Sequence, residues 1–315
     1  MTEQKLIAVV GATGQQGGGL ARAILADPDA GFTVRALTRN ADSEKARELA
    51  RLGAEVVEAD LDDEASLAKA FDGVYGAYLV TDFWQHMSPD REYEQAANLA
   101  RAAASAGVEH AIWSTLEDTR DAVPLEDDRM PTLLGRFKVP HFDVKGEANA
   151  LFSEAGVPTT FLQTTFYWEG FAAFLPPRRQ EDGSLVLAMP MGDGALAGIA
   201  AEDIGRTAFG IFKRGKELVG KTVSIAGEHL TGSQYADVFA EVLGEPVAYQ
   251  PVPFDAFRAA GFPAAEEMGN MFQYYAEFDD EFTGRRDLDT VRALNSELKT
   301  FKEWLTEHKA AFAQA

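Results

Sequence analysis

The stretch Leu6–Leu20, LIAVVGATGQQGGGL, decides the fold. Leu6, Ile7, Ala8, Val9 and Val10 form the unbroken apolar run of a strand buried on both faces of a parallel sheet. Glycines follow at Gly11, Gly14 and Gly17. The first permits a tight turn off the strand, the second lets a pyrophosphate approach the backbone, and the third lets the next helix pack on the sheet. That helix is expected over Leu20 to Ala26. Its free N–H groups and positive dipole end make Gly11, Ala12, Thr13, Gly14, Gln15, Gln16 and Gly17 candidate contacts for a dinucleotide diphosphate. A glycine-rich turn with no ligand is the plainer alternative, and the strand before it and helix after it favour binding.

Outward from this stretch, strands expected at Phe32–Thr38, Glu55–Ala59, Gly76–Val80, His110–Ser114 and Thr159–Thr164 alternate with helices at Ser43–Leu52, Glu64–Phe71, Pro89–Ala106 and His141–Ala155. Such alternation gives an α/β fold with a doubly wound parallel sheet, whose ligands sit at the carboxyl ends of the strands. The segment Glu117–Val139, with prolines at Pro124 and Pro131, breaks the rhythm and is expected to be a lid, a binding loop or disordered. Beyond Phe166 the pieces shorten. We expect an aromatic helix at Tyr167–Phe174, a strand at Leu185–Met189, a helix at Ala201–Phe212 and a strand at Thr222–Ala226. A helix at Ser233–Leu243, an edge strand at Pro246–Val252 and helices at Ala265–Phe278 and Leu298–Ala311 finish the chain. The division that follows is a dinucleotide-binding domain over residues 1–165 and a smaller α/β substrate-side domain over 166–315, which shares some elements with the sheet.

The chain has 315 residues, and its 50 acidic side chains outnumber 29 basic ones, for a net charge of −21. A surface this acidic repels phosphate backbones and argues against direct nucleic-acid binding. The absence of cysteine removes disulfides, thiolate metal sites and thiol catalysis. The five histidines are scattered without ligand spacing, so no metal site is expected. The first apolar run is too short for a signal peptide and no later run reaches membrane-spanning length, which makes a cytoplasmic location the default expectation.

The end of the second strand selects the cofactor. It reads Thr38-Arg39-Asn40, with no carboxylate for a ribose hydroxyl and with a guanidinium suited to a phosphate. This favours NADP(H), with NAD(H) still accommodated, and Asp42 nearby counts against the preference. Asp60 and Leu61 end the third strand on the adenine side. Thr81, Asp82, Phe83 and Trp84 end the fourth, where they flank the nicotinamide half. Ser114 and Thr115 end the fifth, their hydroxyls free to meet a substrate or cap the next segment.

The motifs GATGQQGG at Gly11–Gly18, TRN at Thr38–Asn40, EADLDD at Glu58–Asp63, VTDFW at Val80–Trp84 and HFDVKGE at His141–Glu147 resemble those of the NmrA-like family, an atypical branch of the short-chain dehydrogenase/reductases. The likeness continues through GVPTTFLQTTFYWEGF at Gly156–Phe171, GFP at Gly261–Pro263, NMF at Asn270–Phe272 and EWLTEHK at Glu303–Lys309, and is closest to a subgroup of NADPH sensors. The resemblance implies a Rossmann-like domain with NADP in the glycine turn. It also implies that Lys145 contacts the nicotinamide ribose and that Tyr167, Trp168, Glu169 and Gly170 line the same pocket. Reductases of the superfamily place a tyrosine general acid four residues before the lysine, and here that position is His141. An imidazole can carry the proton instead, or this residue at a helix start after Pro140 is structural. The sensors also carry basic residues just after the arginine, where this chain has Ala41, Asp42 and Ser43, with Lys45 the next base.

Three functions are compatible with these features, and the likeness to the sensors, with His141 in the tyrosine position, favours the first over the second, its alternative. One is a regulator whose loop Glu117–Val139 and second domain respond to cofactor state, with a regulatory protein as partner. Another is hydride transfer from NADPH to a small apolar quinone, enone or imine, with Lys145, His141 or Ser114 as catalytic candidates and Phe166, Tyr167, Trp168, Phe171 and Phe174 as pocket walls. The third is an interaction module without a ligand, against which the intact glycine set argues. Trp304 and Leu305 of the last helix pack either internally or on a second copy in a homodimer.

Overall fold

The computed structural model describes residues 4–312. The opening run becomes β1 (Lys5–Val9), followed by α1 (Gln15–Ala26), β2 (Phe32–Thr38), α2 (Glu44–Arg51), β3 (Glu55–Glu58), α3 (Glu64–Ala70), β4 (Gly76–Leu79), α4 (Pro89–Ser105) and β5 (His110–Thr115). After a long loop come α5 (Pro140–Glu147), α6 (Asn149–Glu154), β6 (Thr159–Gln163), β7 (Phe166–Tyr167), α7 (Glu169–Ala173), β8 (Arg178–Arg179), β9 (Leu185–Met189) and β10 (Ala195–Ile199). The chain continues through α8 (Ala201–Arg214), β11 (Thr222–Ser224), β12 (Glu228–Thr231), α9 (Gly232–Leu243) and β13 (Val247–Pro251). It ends with α10 (Phe254–Arg258), α11 (Ala265–Glu277), α12 (Asp279–Gly284), α13 (Leu288–Leu294) and α14 (Phe301–His308).

Seven parallel strands pair in the order β11-β6-β5-β4-β1-β2-β3, and the order reverses between β1 and β4. That reversal opens a crevice at the strands' carboxyl ends, the usual ligand position in a Rossmann-like sheet. Period-two alternation divides the buried side chains between two layers. Ile7, Val9, Tyr78, Ile112 and Leu162 pack with Leu20 and Ile24 of α1 and Ile204 and Phe212 of α8. Ala8, Ala77, Leu79, Ala111 and Trp113 pack on the other face with Leu67, Leu99 and Phe152. Two small sheets, β12-β10-β7 and β13-β9-β8, build a third core with α9, α11 and α14. The sheet takes its edge strand β11 and its covering helix α8 from beyond residue 165, so the two parts are interlocked.

Four local expectations need correction. The first helix begins at Gln15, five residues before Leu20, because Gly14 serves as its N-cap and packing holds the glycines that follow. The helix expected over His141–Ala155 is two pieces, since the Thr115 hydroxyl takes the Lys145 carbonyl at 3.0 Å, an acceptor that an unbroken helix would use itself. The aromatic helix Tyr167–Phe174 starts instead as a strand, because Phe166 and Tyr167 pair with Gly198 and Ile199 of β10. The loop Glu117–Val139 is pinned rather than a free lid. Lys138, 1% exposed, donates to the carbonyls of Asp127 (2.8 Å) and Met130 (2.7 Å), and Asn270 and Gln273 of α11 donate to the carbonyls of Pro131, Lys138 and Arg129. Trp304, 1% exposed, packs inside the chain beside Phe301 and Trp168.

Helices α1 and α8 approach each other backbone to backbone. A Cβ on Gly205 would lie 2.1 Å from the Leu20 amide nitrogen, and one on Gly19 would lie 2.4 Å from the Glu202 carbonyl oxygen. Gly205→Ala is therefore expected to push α1 off its seat at a cost of about 1–3 kcal/mol. Urea unfolding checks this, and an unchanged midpoint counts against the close packing described.

Candidate functional site

The glycine turn is built as its spacing requires. Gly11 has φ +63°, and a Cβ on Gly17 would meet the Gly11 carbonyl oxygen at 2.5 Å, so α1 springs directly from the strand end. The first turn of α1 leaves the amides of Gln15, Gln16 and Gly17 without acceptors among the described residues. Thr13, Gly14, Gln15, Gln16 and Gly17 wall one end of a cleft of about 970 Å³ that runs across the strand ends. Donors at a helix N-terminus, an open backbone and a cation nearby fit a dinucleotide diphosphate. Ala12 lies under the turn, donating its amide to the Leu37 carbonyl, and does not wall this cleft.

Arg39, Asn40 and Ser43 line the cleft beside the turn. Asp42 does not, because its carboxylate pairs with Arg47 at 3.3 Å. The doubt that Asp42 raised about a phosphate site is thereby weakened. Asp60 and Leu61 line the next section, and Asp60 also holds its own turn by accepting the Asp62 amide. Thr81, Asp82, Phe83 and Trp84 follow from the end of β4.

Gln16 ties the floor together. Its side-chain oxygen accepts from Tyr78 (2.5 Å) and Ser114 (2.8 Å), and its nitrogen donates to the Tyr167 hydroxyl at 2.5 Å. Burial pushes the Tyr167 phenol up to about 12. Ser114, 3% exposed, sits behind Gln16 rather than in the cleft wall, and its hydroxyl orients that side chain. Tyr167, Glu169 and Gly170 line the cleft. Trp168 does not, since its indole is fully buried and donates to Tyr235 at 3.2 Å. Phe171 also belongs to the core, while Phe166 and Phe174 stay on the wall.

Lys145 is held more tightly than the family resemblance implies. Its ammonium donates to the Thr81 hydroxyl (2.7 Å) and carbonyl (3.1 Å) and pairs with Glu92 at 2.7 Å. All three donors are engaged, so a ribose contact requires exchange of one of them. Burial raises the Glu92 carboxyl, but the Lys145 charge and hydrogen bond, with Thr81 and His86, bring it below the ordinary carboxylate value. No local motif marked Glu92. It is an acidic residue on the buried face of α4, a signal visible only as a charge where the helix pattern calls for an apolar side chain.

His141 lies further along the same wall. Its ring Nδ1 and its amide nitrogen both stand 2.7 Å from one oxygen of Glu267, which α11 supplies. Trp84, 46% exposed, covers the imidazole with ring centres 4.7 Å apart. Met268, Met271, Tyr275 and Phe174 complete this apolar end. No sequence motif marked Met268, Met271 and Tyr275, which reach the cleft only through tertiary folding, or Glu267, which stands behind His141. The described residues contain no cluster able to hold a metal, and no helix among them is long and apolar enough to cross a membrane.

A family model described as the NmrA-like family matches residues 3–305. The chain belongs to this family. It is 29% identical to the NmrA-like family domain-containing oxidoreductase FrzB of Cladobotryum sp. over 85% of this chain and 83% of that one. It is also 29% identical to an NAD(P)H azoreductase of Xenophilus azovorans over 98% of this chain and the whole of that one. Among solved structures, the negative transcriptional regulator NmrA in complex with NAD superposes with a TM-score of 0.80 at 25% identity, covering 97% and 95% of the two chains. The same regulator has been crystallised with NADP.

The Lys145–Glu92 pair yields a pH-dependent prediction. Because the folded carboxyl lies below its ordinary value of 4.5, its contribution is complete above that value and fades as pH falls through the lowered one. Glu92→Gln, which leaves Lys145 without its counter-charge, should cost about 3 kcal/mol at pH 7. The gap from the unaltered chain should shrink below pH 4.5, as urea titrations across pH would record.

Proposed function

We propose that this chain is an NADP(H)-dependent oxidoreductase that delivers hydride to a small apolar acceptor. The observation that carries this reading is the continuity of one cleft from the glycine cradle to an aromatic and methionine-walled end. A dinucleotide diphosphate at the α1 N-terminus and an acceptor under Trp84 and Phe174 would share that space without a barrier. When bound, the dihydronicotinamide supplies the hydride, and the protein's part is to bind, orient and exclude water. The relatives described as oxidoreductases and as an azoreductase support the same class of chemistry.

NADP(H) is the preferred cofactor and NAD(H) the weaker one. Arg39 is exposed at the cleft edge beside Ser43, with no carboxylate from Asp42 in the lining. The crystals of NmrA with either dinucleotide support a cradle of this kind that tolerates both.

A second reading, a sensor of cofactor state, is favoured by one feature. Lys145 is already saturated by Glu92 and Thr81, and a histidine stands in the tyrosine position, so ordinary carbonyl reduction lacks its usual proton donor. A sensor binds cofactor tightly and turns nothing over, and its response is limited by the difference in affinity between its two states.

Steady NADPH oxidation with a panel of quinones, azo compounds and enones separates the two, and binding without turnover against the whole panel would refute the oxidoreductase reading. For cofactor choice, Arg39→Ala should weaken NADPH by roughly tenfold to a hundredfold, the worth of one charge-assisted phosphate contact, and NADH far less. Calorimetric titration reads both, and equal losses would remove the phosphate role.

A further inference from the structure

We propose that His141 is the proton donor to the acceptor, that Glu267 is its positioning residue, and that the acceptor is therefore a neutral conjugated oxidant such as a quinone or azo compound, whose reduction requires a proton as well as a hydride. This rests on the oxidoreductase reading above. The geometry is specific. One carboxylate oxygen of Glu267 accepts both the His141 amide and the ring Nδ1–H at 2.7 Å, which fixes the helix start, the ring plane and the tautomer together. His141 is 5% and Glu267 7% exposed, so the proton-donating form of the ring, with both nitrogens protonated, would face a carboxylate in a largely desolvated wall. The remaining ring nitrogen, Nε2, has no hydrogen-bond partner among the described residues, and the residue lines the apolar end of the cleft. Lys145 is engaged elsewhere, Ser114 is turned into the floor, and burial pushes the phenol of Tyr275, which shares that end, well up, which leaves His141 as the side chain there with a ring nitrogen free to deliver a proton.

A neutral acceptor receives a hydride, two electrons and one hydrogen, from NADPH, which leaves as NADP⁺. The resulting phenolate oxygen or hydrazide nitrogen takes the proton from Nε2 as that N–H bond breaks. Imidazole then regains a proton from water entering at the half-exposed Trp84 side, while Glu267 keeps its hold on Nδ1. Trp84, Phe174, Met268 and Met271 offer flat and polarisable surfaces to such a conjugated ring.

A cationic triarylmethane dye gives the contrast needed to test this. Its carbocation is quenched by hydride alone and asks nothing of a proton donor. His141→Ala should lower kcat for a benzoquinone about 100-fold, the usual size of general-acid assistance, with little change in NADPH affinity measured by calorimetry. Dye decolorisation should fall far less, and added imidazole should restore part of the quinone rate. Glu267→Gln should lower quinone kcat with KM unmoved and enlarge the solvent deuterium isotope effect. Equal losses toward quinone and dye, or no rescue by imidazole, would overturn the proton-donor role. Failure of the unaltered chain to oxidise NADPH with either acceptor would sink the underlying oxidoreductase reading, and this proposal with it.

Discussion

The architecture depends on how closely α1 can approach its surroundings. Three separate backbones meet it with no room for a methyl group: the turn below at Gly17, the Glu202 carbonyl at Gly19, and the Gly205 backbone against Leu20. Because protein interiors are packed like crystals, such contacts leave a helix little choice of position. The consequence is chemical as well as mechanical. Unpaired amides at the helix start are aimed at one place, the crevice between β1 and β4, and their geometry is set by the packing of the helix.

Polar groups behind the cleft extend that rigidity. Gln16, Tyr78, Ser114 and Tyr167 join α1 to β4, β5 and β7, while Glu92, Lys145 and Thr81 join α4, α5 and the end of β4. Deeper still, Arg286, fully buried, pairs with Glu117 at 2.7 Å and donates to the Thr164 carbonyl at 2.6 Å, which fastens the α12 region to the floor. Each pair has been taken out of water at a cost that only good geometry repays. These networks argue for specificity of position more than for added stability.

Much of the fold was legible in the sequence because it rests on local signals. Apolar runs of strand length, glycine at a positive-φ turn, and helix patterns between them placed all six strands of the first half in the sheet. Misjudgements arose where a distant partner overrode a local preference. The Thr115 hydroxyl broke one helix, pairing with β10 converted an aromatic helix start into a strand, and α11 pinned a proline-containing loop. At the site, the cradle and Arg39 were readable from spacing. Trp168 and Phe171 were misplaced because aromatic composition does not say which face of a short segment meets the core. Glu92 and Glu267 carried no motif, since a carboxylate chosen to meet one particular lysine or histidine is defined only by the fold.

The helix α11 shows how the two halves of the cleft can differ in their freedom to change. Glu267, Met271 and Tyr275 recur at a spacing of four residues; Met271 and Tyr275, with Met268, wall the apolar end, and Glu267 holds His141 from behind it. Asn270 and Gln273 lie on another side, where Arg258 takes their side-chain oxygens (3.1 and 2.8 Å) and so directs their nitrogens to the carbonyls of the loop after β5. One helix thus orders the loop with one face and shapes the apolar end of the cleft with the other. Substitutions along the cleft stripe can alter size and polarity there without touching the glycine cradle, whereas substitutions on the amide side disturb the loop that buries Val123 and Met130. The fold thereby separates a rigid glycine-turn end from an adjustable apolar end within a single cavity.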